Sequence, residues 1–205
     1  MIGQLWRRFF YNPYAFVAKC AYATMGDSKL TKSFSLEFRV PRTSPAFEVG
    51  NNCILMHKNI FESDAGFVRI GSGTFINAGT SLISREYISI GNDVTIAWGC
   101  TIYDHDSHSL DYKERIRDQE SQLKDWDSGS FIQSKNWGAV RSGAIKIDDF
   151  AWLGFDVVVL KGVTIGKGAI IGARSVVASD IPPWTVAVGN PAKVVKELPR
   201  ELRHD

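Results

Sequence analysis

Cysteine and net charge are both in short supply. The chain of 205 residues holds three cysteines, Cys20, Cys53 and Cys100. No two stand at zinc-finger or dithiol spacing, which argues against a disulfide scaffold, a structural zinc knot or a redox pair. They are expected to be reduced, packed residues, not nucleophiles. Lys and Arg together number 24 against 22 Asp and Glu, a net charge of +2. That balance gives no electrostatic basis for a nucleic-acid partner. No run approaches the ~20 apolar residues of a membrane span. The basic, apolar N-terminus lacks the clean apolar core and small-residue cleavage site of a secretory signal. A cytoplasmic protein of one domain is expected.

What is present is a repeat. From Ile147 an aliphatic residue returns every sixth position: Leu153, Val159, Ile165, Ile171 and Val177. Four positions after these come Ala151, Val157, Val163, Ala169 and Ser175, and glycine often follows the aliphatic residue, as at Gly154, Gly166 and Gly172. A period of six fits neither a helix nor ordinary strand alternation. It marks a solenoid in which each block gives one short strand and one tight turn. Three blocks close one triangular coil, the aliphatic side chains point inward, and coils stack at about 4.8 Å. Earlier hexads run through Val49, Leu55, Ile70, Ile76, Leu82, Ile90, Ile96 and Ile102, with Cys53 and Cys100 at the small inward position.

These motifs resemble the hexapeptide-repeat acyltransferases, and the resemblance implies a mainly β fold, a left-handed parallel β-helix. The expected layout is a helical or irregular cap over 1–48, the β-helix over 49–195 with a long inserted loop at about 103–144, and a tail over 196–205. Pro13 is expected to divide residues 2–25 into two short helices. Their aromatic and basic residues suit either a cap on the coil or a foot making peripheral contact with a membrane. Phe34, Leu36, Phe38 and Val40 alternate with polar residues and suggest a half-buried strand.

The insertion interrupts the hexads and is polar, so it is the expected position of a binding surface; Leu110–Trp126 suggests a short helix within it. Its opening, Tyr103-Asp104-His105-Asp106-Ser107-His108-Ser109-Leu110-Asp111, carries two of the chain's four histidines. Histidine titrates near neutrality and can take the proton of an attacking hydroxyl. His57 and His204 are read as structural.

The same opening resembles the maltose/galactoside and polysaccharide O-acetyltransferase branch. His108-Ser-Leu-Asp111 matches its His-x-x-Asp motif, which implies His108 as general base, with His105 open as the alternative base or as an acceptor contact. Asn77 matches an asparagine of that branch, while Gly79 replaces its second asparagine. Asp104, Asp106 and Trp98 complete the expected acceptor side. The resemblance further implies acetyl-CoA as co-substrate, bound in a groove between the subunits of a homotrimer. Trp152, Gly154, Gly172, Ala173 and Lys193 would line that groove, with Lys193 toward phosphate. No metal is required. The expected reaction is direct acetyl transfer to a sugar hydroxyl of a surface polysaccharide or its precursor. N-acetylation of an amino sugar or xenobiotic is the alternative; a γ-type carbonic anhydrase, which needs three histidines on one zinc, and a non-catalytic scaffold are further ones.

Overall fold

The computed structural model describes residues 11–203. The aromatic and basic residues through Phe10, and His204, lie outside them. Parallel strands form three sheets, two of six strands and one of eight. The chain visits the sheets in turn, so each circuit is one coil of a three-sided β-helix. Each internal strand of the coils pairs in parallel with its counterpart one coil above and one below, in register along the inward ladders. One inward ladder runs Met25, Val49, Ile70, Ile90, Ile147, Ile165. The second runs Leu30, Leu55, Ile76, Ile96, Leu153, Ile171, Ala187. The third runs Leu36, Asn59, Leu82, Ile102, Val159, Val177. Apart from half-buried Met25, all of these side chains are buried. The hexad positions therefore form one continuous apolar column, which no single coil could exclude from water alone.

The corners follow from the same stacking. A turn sharp enough to pass from sheet to sheet needs a residue with φ > 0. Gly79 and Gly99 supply it between the second and third sheets, and Asp156 and Arg174 adopt it there at φ 55° and 60°. The small inward corner residues also bond from coil to coil. The Thr80 hydroxyl donates to the Ala97 carbonyl at 3.0 Å, and the Cys100 thiol faces the Gly154 carbonyl at 3.2 Å. Cys53 and Cys100 are free and buried, as expected of packing residues.

The β-helix begins earlier than the hexads suggest. Ala23–Met25, Lys29–Leu30 and Ser35–Phe38 pair with the strands of the coil that follows them. The segment expected to be a cap up to residue 48 thus contributes a whole coil. Its inward residues Met25, Leu30 and Leu36 are spaced five and six apart, and Val49 comes thirteen later, so the period is lost while the pairing remains. Helix α1, Pro13–Lys19, has Pro at its first turn and the Asn12 side chain as its N-cap. It packs Val17 into the core, and the Tyr14 hydroxyl accepts the Leu30 amide at 2.9 Å. At the other end, Thr185–Gly189 pairs with the second sheet and turns back into antiparallel Ala192–Glu197. No helix among the described residues is long and apolar enough to cross a membrane.

Candidate active site

The insertion leaves the third sheet after Tyr103 and is tied shut at its neck. His105 and Ser142 form an antiparallel bridge. The Gly143 amide donates to the Asp104 carbonyl at 2.9 Å, and the Asp106 amide to the Arg141 carbonyl at 2.9 Å. Helix α2, Tyr112–Asp127, follows, with the Asp111 side chain accepting the Lys113 amide as its N-cap. Its far end is fixed by Asp125, whose carboxylate accepts the Ser134 amide and hydroxyl, each at 2.7 Å. The return segment then brings Lys135 and Trp137 back toward the neck.

The two histidines have different surroundings. The His105 side chain has no exposed surface. Its Nδ1 accepts the Ser107 amide at 3.1 Å. Its Nε2 lies 3.2 Å from the Glu62 carboxylate, an ion-pair distance without hydrogen-bond alignment. Tyr103 and Trp137 meet the ring edge-on, at centroid distances of 4.4 and 5.3 Å. His105 is a packed residue of the neck and offers no nitrogen to a substrate.

His108 stands outward with 51 % of its side chain exposed. Its Nδ1 lies 3.4 Å from Asp118 Oδ2, and no hydrogen bond reaches its Nε2 among the described residues. An imidazole that donates from Nδ1 to a carboxylate presents a lone pair on Nε2, the arrangement a general base needs. Lys135 Nζ lies 2.6 Å from the same Asp118 oxygen. The sequence does not mark Asp118 or Lys135, because neither stands in a repeat and they come together only when the insertion folds.

Two expected acceptor contacts have other partners. Asp104 is wholly buried, and its carboxylate accepts the Ser84 hydroxyl at 2.8 Å and the Arg85 and Glu86 amides at 2.8 and 2.9 Å. Burial pushes its pKa up against those donors. It holds the corner of the preceding coil and is not open to an acceptor. Asp106 pairs with Lys161 at 2.6 Å and Arg141 at 3.2 Å. Burial alone would raise its pKa, but the two cations outweigh it and hold the carboxyl below the ordinary range. Asp106 ties the neck to the next coil.

Asn77, Trp98, Gly154, Gly172 and Ala173 lie along a different corner, between the second and third sheets. Trp98 is 62 % exposed and Asn77 is buried, with its Oδ1 accepting the Ala78 amide at 2.8 Å. Trp152 leads to this corner on the second sheet, half exposed. Glycine is needed at 154, where the backbone of the next coil stacks on it, whereas at 172 the close neighbour is the exposed Val188 side chain. An added Cβ would stand 2.7 Å from the Ala173 nitrogen at the first and 2.6 Å from Val188 Cγ1 at the second. The amide of Gly172, a residue expected to line the cofactor groove, donates to the Ala187 carbonyl at 2.9 Å. Ala173 is exposed at the same corner, and Lys193 is exposed on the final strand. One chain therefore brings together the neck residues, and separately the Trp98–Ala173 edge, but not the two sets.

His57 belongs to neither. It lies inside the coil, fully buried, with Nε2 3.1 Å from Asn59 Oδ1 and its ring edge-on to Phe34. A zinc site uniting His57 with His105 and His108 is incompatible with that position.

The model of the family "Bacterial transferase hexapeptide (six repeats)" matches residues 144–179. A hexapeptide-repeat-containing acetyltransferase from Vibrio cholerae superposes with a TM-score of 0.60 at 26 % identity, over 96 % of this chain and 86 % of that one. The chain belongs to the hexapeptide-repeat transferase family. With the family comes the left-handed sense of the coil. A Schizosaccharomyces pombe protein, by name an acetyltransferase, is 37 % identical to this hexapeptide-repeat chain over 142 residues, 67 % of it and 57 % of the relative. The alignments span 34 % to 57 % of the length of the curated relatives. AntD, an N-acyltransferase from Bacillus cereus solved with dTDP and 3-hydroxybutyryl-CoA, has the same fold, with a TM-score of 0.67 at 19 % identity over 94 % of this chain and 92 % of that one.

Proposed function

We propose that the chain is an acetyl-CoA-dependent O-acetyltransferase acting on a sugar hydroxyl of a surface polysaccharide or its precursor. The observation that carries the reading is His108, outward-facing, with Nδ1 toward a buried carboxylate and Nε2 free of hydrogen-bond partners among the described residues. The V. cholerae relative, which has also been solved with acetyl coenzyme A, supports the choice of donor.

In this reading His108 Nε2 takes the proton of the acceptor hydroxyl as its oxygen attacks the thioester carbonyl. The tetrahedral intermediate collapses, the C–S bond breaks, and the imidazolium returns the proton to the leaving thiolate. The acetyl group passes directly from thioester to alcohol, and no group of the chain is acylated.

Acetyl-CoA would lie along the edge bearing Trp152, Gly154 and Ala173, with Lys193 toward its phosphates. Trp98 and Asn77 share that edge, at a different corner from His108. A site that uses both corners is made between two copies, which supports a homotrimer as the working form. The reading places the protein in the cytoplasm, with residues 1–25 as a contact for the inner face of the membrane that carries the acceptor.

Calorimetric titration with acetyl-CoA tests the donor. Binding near one per subunit is expected, and no heat up to millimolar ligand in folded protein removes the reading. Once the donor is established, an assay of released thiol over sugars carrying hydroxyl or amino groups at the same position separates O- from N-transfer.

A further inference from the structure

Three segments of the insertion converge on one oxygen. His108 comes from the outgoing segment, Asp118 from α2 and Lys135 from the return segment. Asp118 Oδ2 is 2.6 Å from Lys135 Nζ and 3.4 Å from His108 Nδ1, and Lys135 Nζ is itself 3.5 Å from that Nδ1. The side chains of Lys135 and Asp118 are only 9 % and 8 % exposed, whereas that of His108 is 51 % exposed. A closed ion pair therefore lies beneath an open imidazole.

We propose that Lys135 is a positioning residue that sets the protonation of His108 through the carboxylate they share. This rests on His108 being the base, as argued above. A carboxylate alone beside an imidazole favours the imidazolium, which has already taken up a proton and cannot act as a base. An ammonium at the same distance opposes that charge. The geometry offers Asp118 as the acceptor of Nδ1–H and sets the Lys135 ammonium against the charge that a protonated ring would carry. Orientation and basicity are thereby controlled separately.

Among the described residues, Asp118 and Lys135 are the charged groups from other elements within ion-pair reach of the His108 ring, and Arg115 of α2 donates to the carbonyls of the neighbouring Ser109 and Leu110 at 2.9 and 2.8 Å. The charged groups nearest on its own segment are occupied: Asp106 pairs with Lys161 and Arg141, and Asp111 caps α2. Lys135 is held in place by the Trp137 ring, whose centroid lies 5.1 Å from Nζ. Trp137 also meets His105, so the packed histidine of the neck supports the wall behind the exposed one. The pair also bears on tautomer. If Lys135 donated to Nδ1, Nε2 would carry the hydrogen and the base would be lost. Asp118, which lies closer to Lys135 than His108 does, holds that ammonium to itself.

The test is the titration of His108 by NMR on protein with 15N-labelled histidine, its signal identified by its loss in His108→Gln. This reads protonation and tautomer without any acyl transfer, so it separates failure of this inference from failure of the acetyltransferase reading. Lys135→Met is expected to raise the His108 pKa by about one unit and Asp118→Asn to lower it by about one, the scale of a single neighbouring charge. Lys135→Arg is expected to restore the wild-type value. In the wild type the neutral form is expected with hydrogen on Nδ1. Circular dichroism matching wild type qualifies each variant, and Lys135→Arg serves if Lys135→Met does not fold: there a titration displaced by more than about half a unit overturns the proposal. Shifts in the same direction for Lys135→Met and Asp118→Asn, or no shift in either, also overturn it.

Discussion

His108 Nδ1 lies 3.4 Å from Asp118 Oδ2, while His105, three residues earlier, has its Nδ1 on the Ser107 amide and its Nε2 against Glu62. Two histidines of one short segment thus serve different ends. One is part of the wall, the other is presented to solvent.

His105→Ala should act on stability first. It removes a fully buried ring from between Tyr103 and Trp137 and leaves Glu62 facing a void. A loss of about 2 kcal/mol is expected, within the usual range for a core truncation. Urea unfolding at pH 7 measures it, and a midpoint equal to wild type would show that the neck does not depend on this ring.

His57 sets a pH dependence of stability that has no connection to catalysis. Burial lowers its pKa from 6.5 to about 3, with the Asn59 hydrogen bond opposing only in part. Unfolding frees the ring to bind a proton below pH 6.5, whereas the folded protein binds none until about pH 3. The neutral folded ring is therefore favoured above pH 6.5, and its contribution falls by about 1.4 kcal/mol per unit as the pH drops toward 3. Unfolding free energies at pH 7, 6 and 5 should show this slope, and His57→Asn should flatten it. Equal slopes in the two proteins would mean that another group titrates.

Lys193→Ala should weaken binding of CoA more than of dephospho-CoA. Lys193 is exposed on Ala192–Glu197, as a charge serving a phosphate must be. An exposed ammonium is expected to be worth a few-fold in Kd at moderate salt. Calorimetry with both ligands decides, and equal weakening argues for a different phosphate contact.

The apolar column was legible because burial on every coil imposes an aliphatic residue at a fixed interval, as at Ile147, Leu153 and Val159. The first coil was not, since parallel pairing of Ala23–Met25 and Lys29–Leu30 needs no six-residue spacing and the period breaks across residues 36–49. Asn59 was hidden for a related reason. It occupies an inward position between Leu36 and Leu82, where a polar residue is tolerated because His57 and the Ser35 carbonyl bond it. In the insertion, α2 could be read from its polar run after Asp111, and the two histidines stood out by residue type and motif. The motif already put His108 ahead of His105, but the burial that separates the two could not be read, because it depends on how the insertion folds. Asp104 likewise looks available in sequence and is fully occupied by Ser84, Arg85 and Glu86 once the corner folds.

The central claim is that His108 is the base of an acetyl transfer. The measurement that tests it most directly is thiol release from saturating acetyl-CoA, with the best acceptor of the sugar screen, for wild type, His108→Ala and His105→Gln. The account predicts that His108→Ala lowers kcat by about two to four orders of magnitude with acetyl-CoA affinity unchanged. It predicts that folded His105→Gln keeps most of its turnover. Turnover of His108→Ala within about twofold of wild type, or loss confined to His105→Gln, would contradict it.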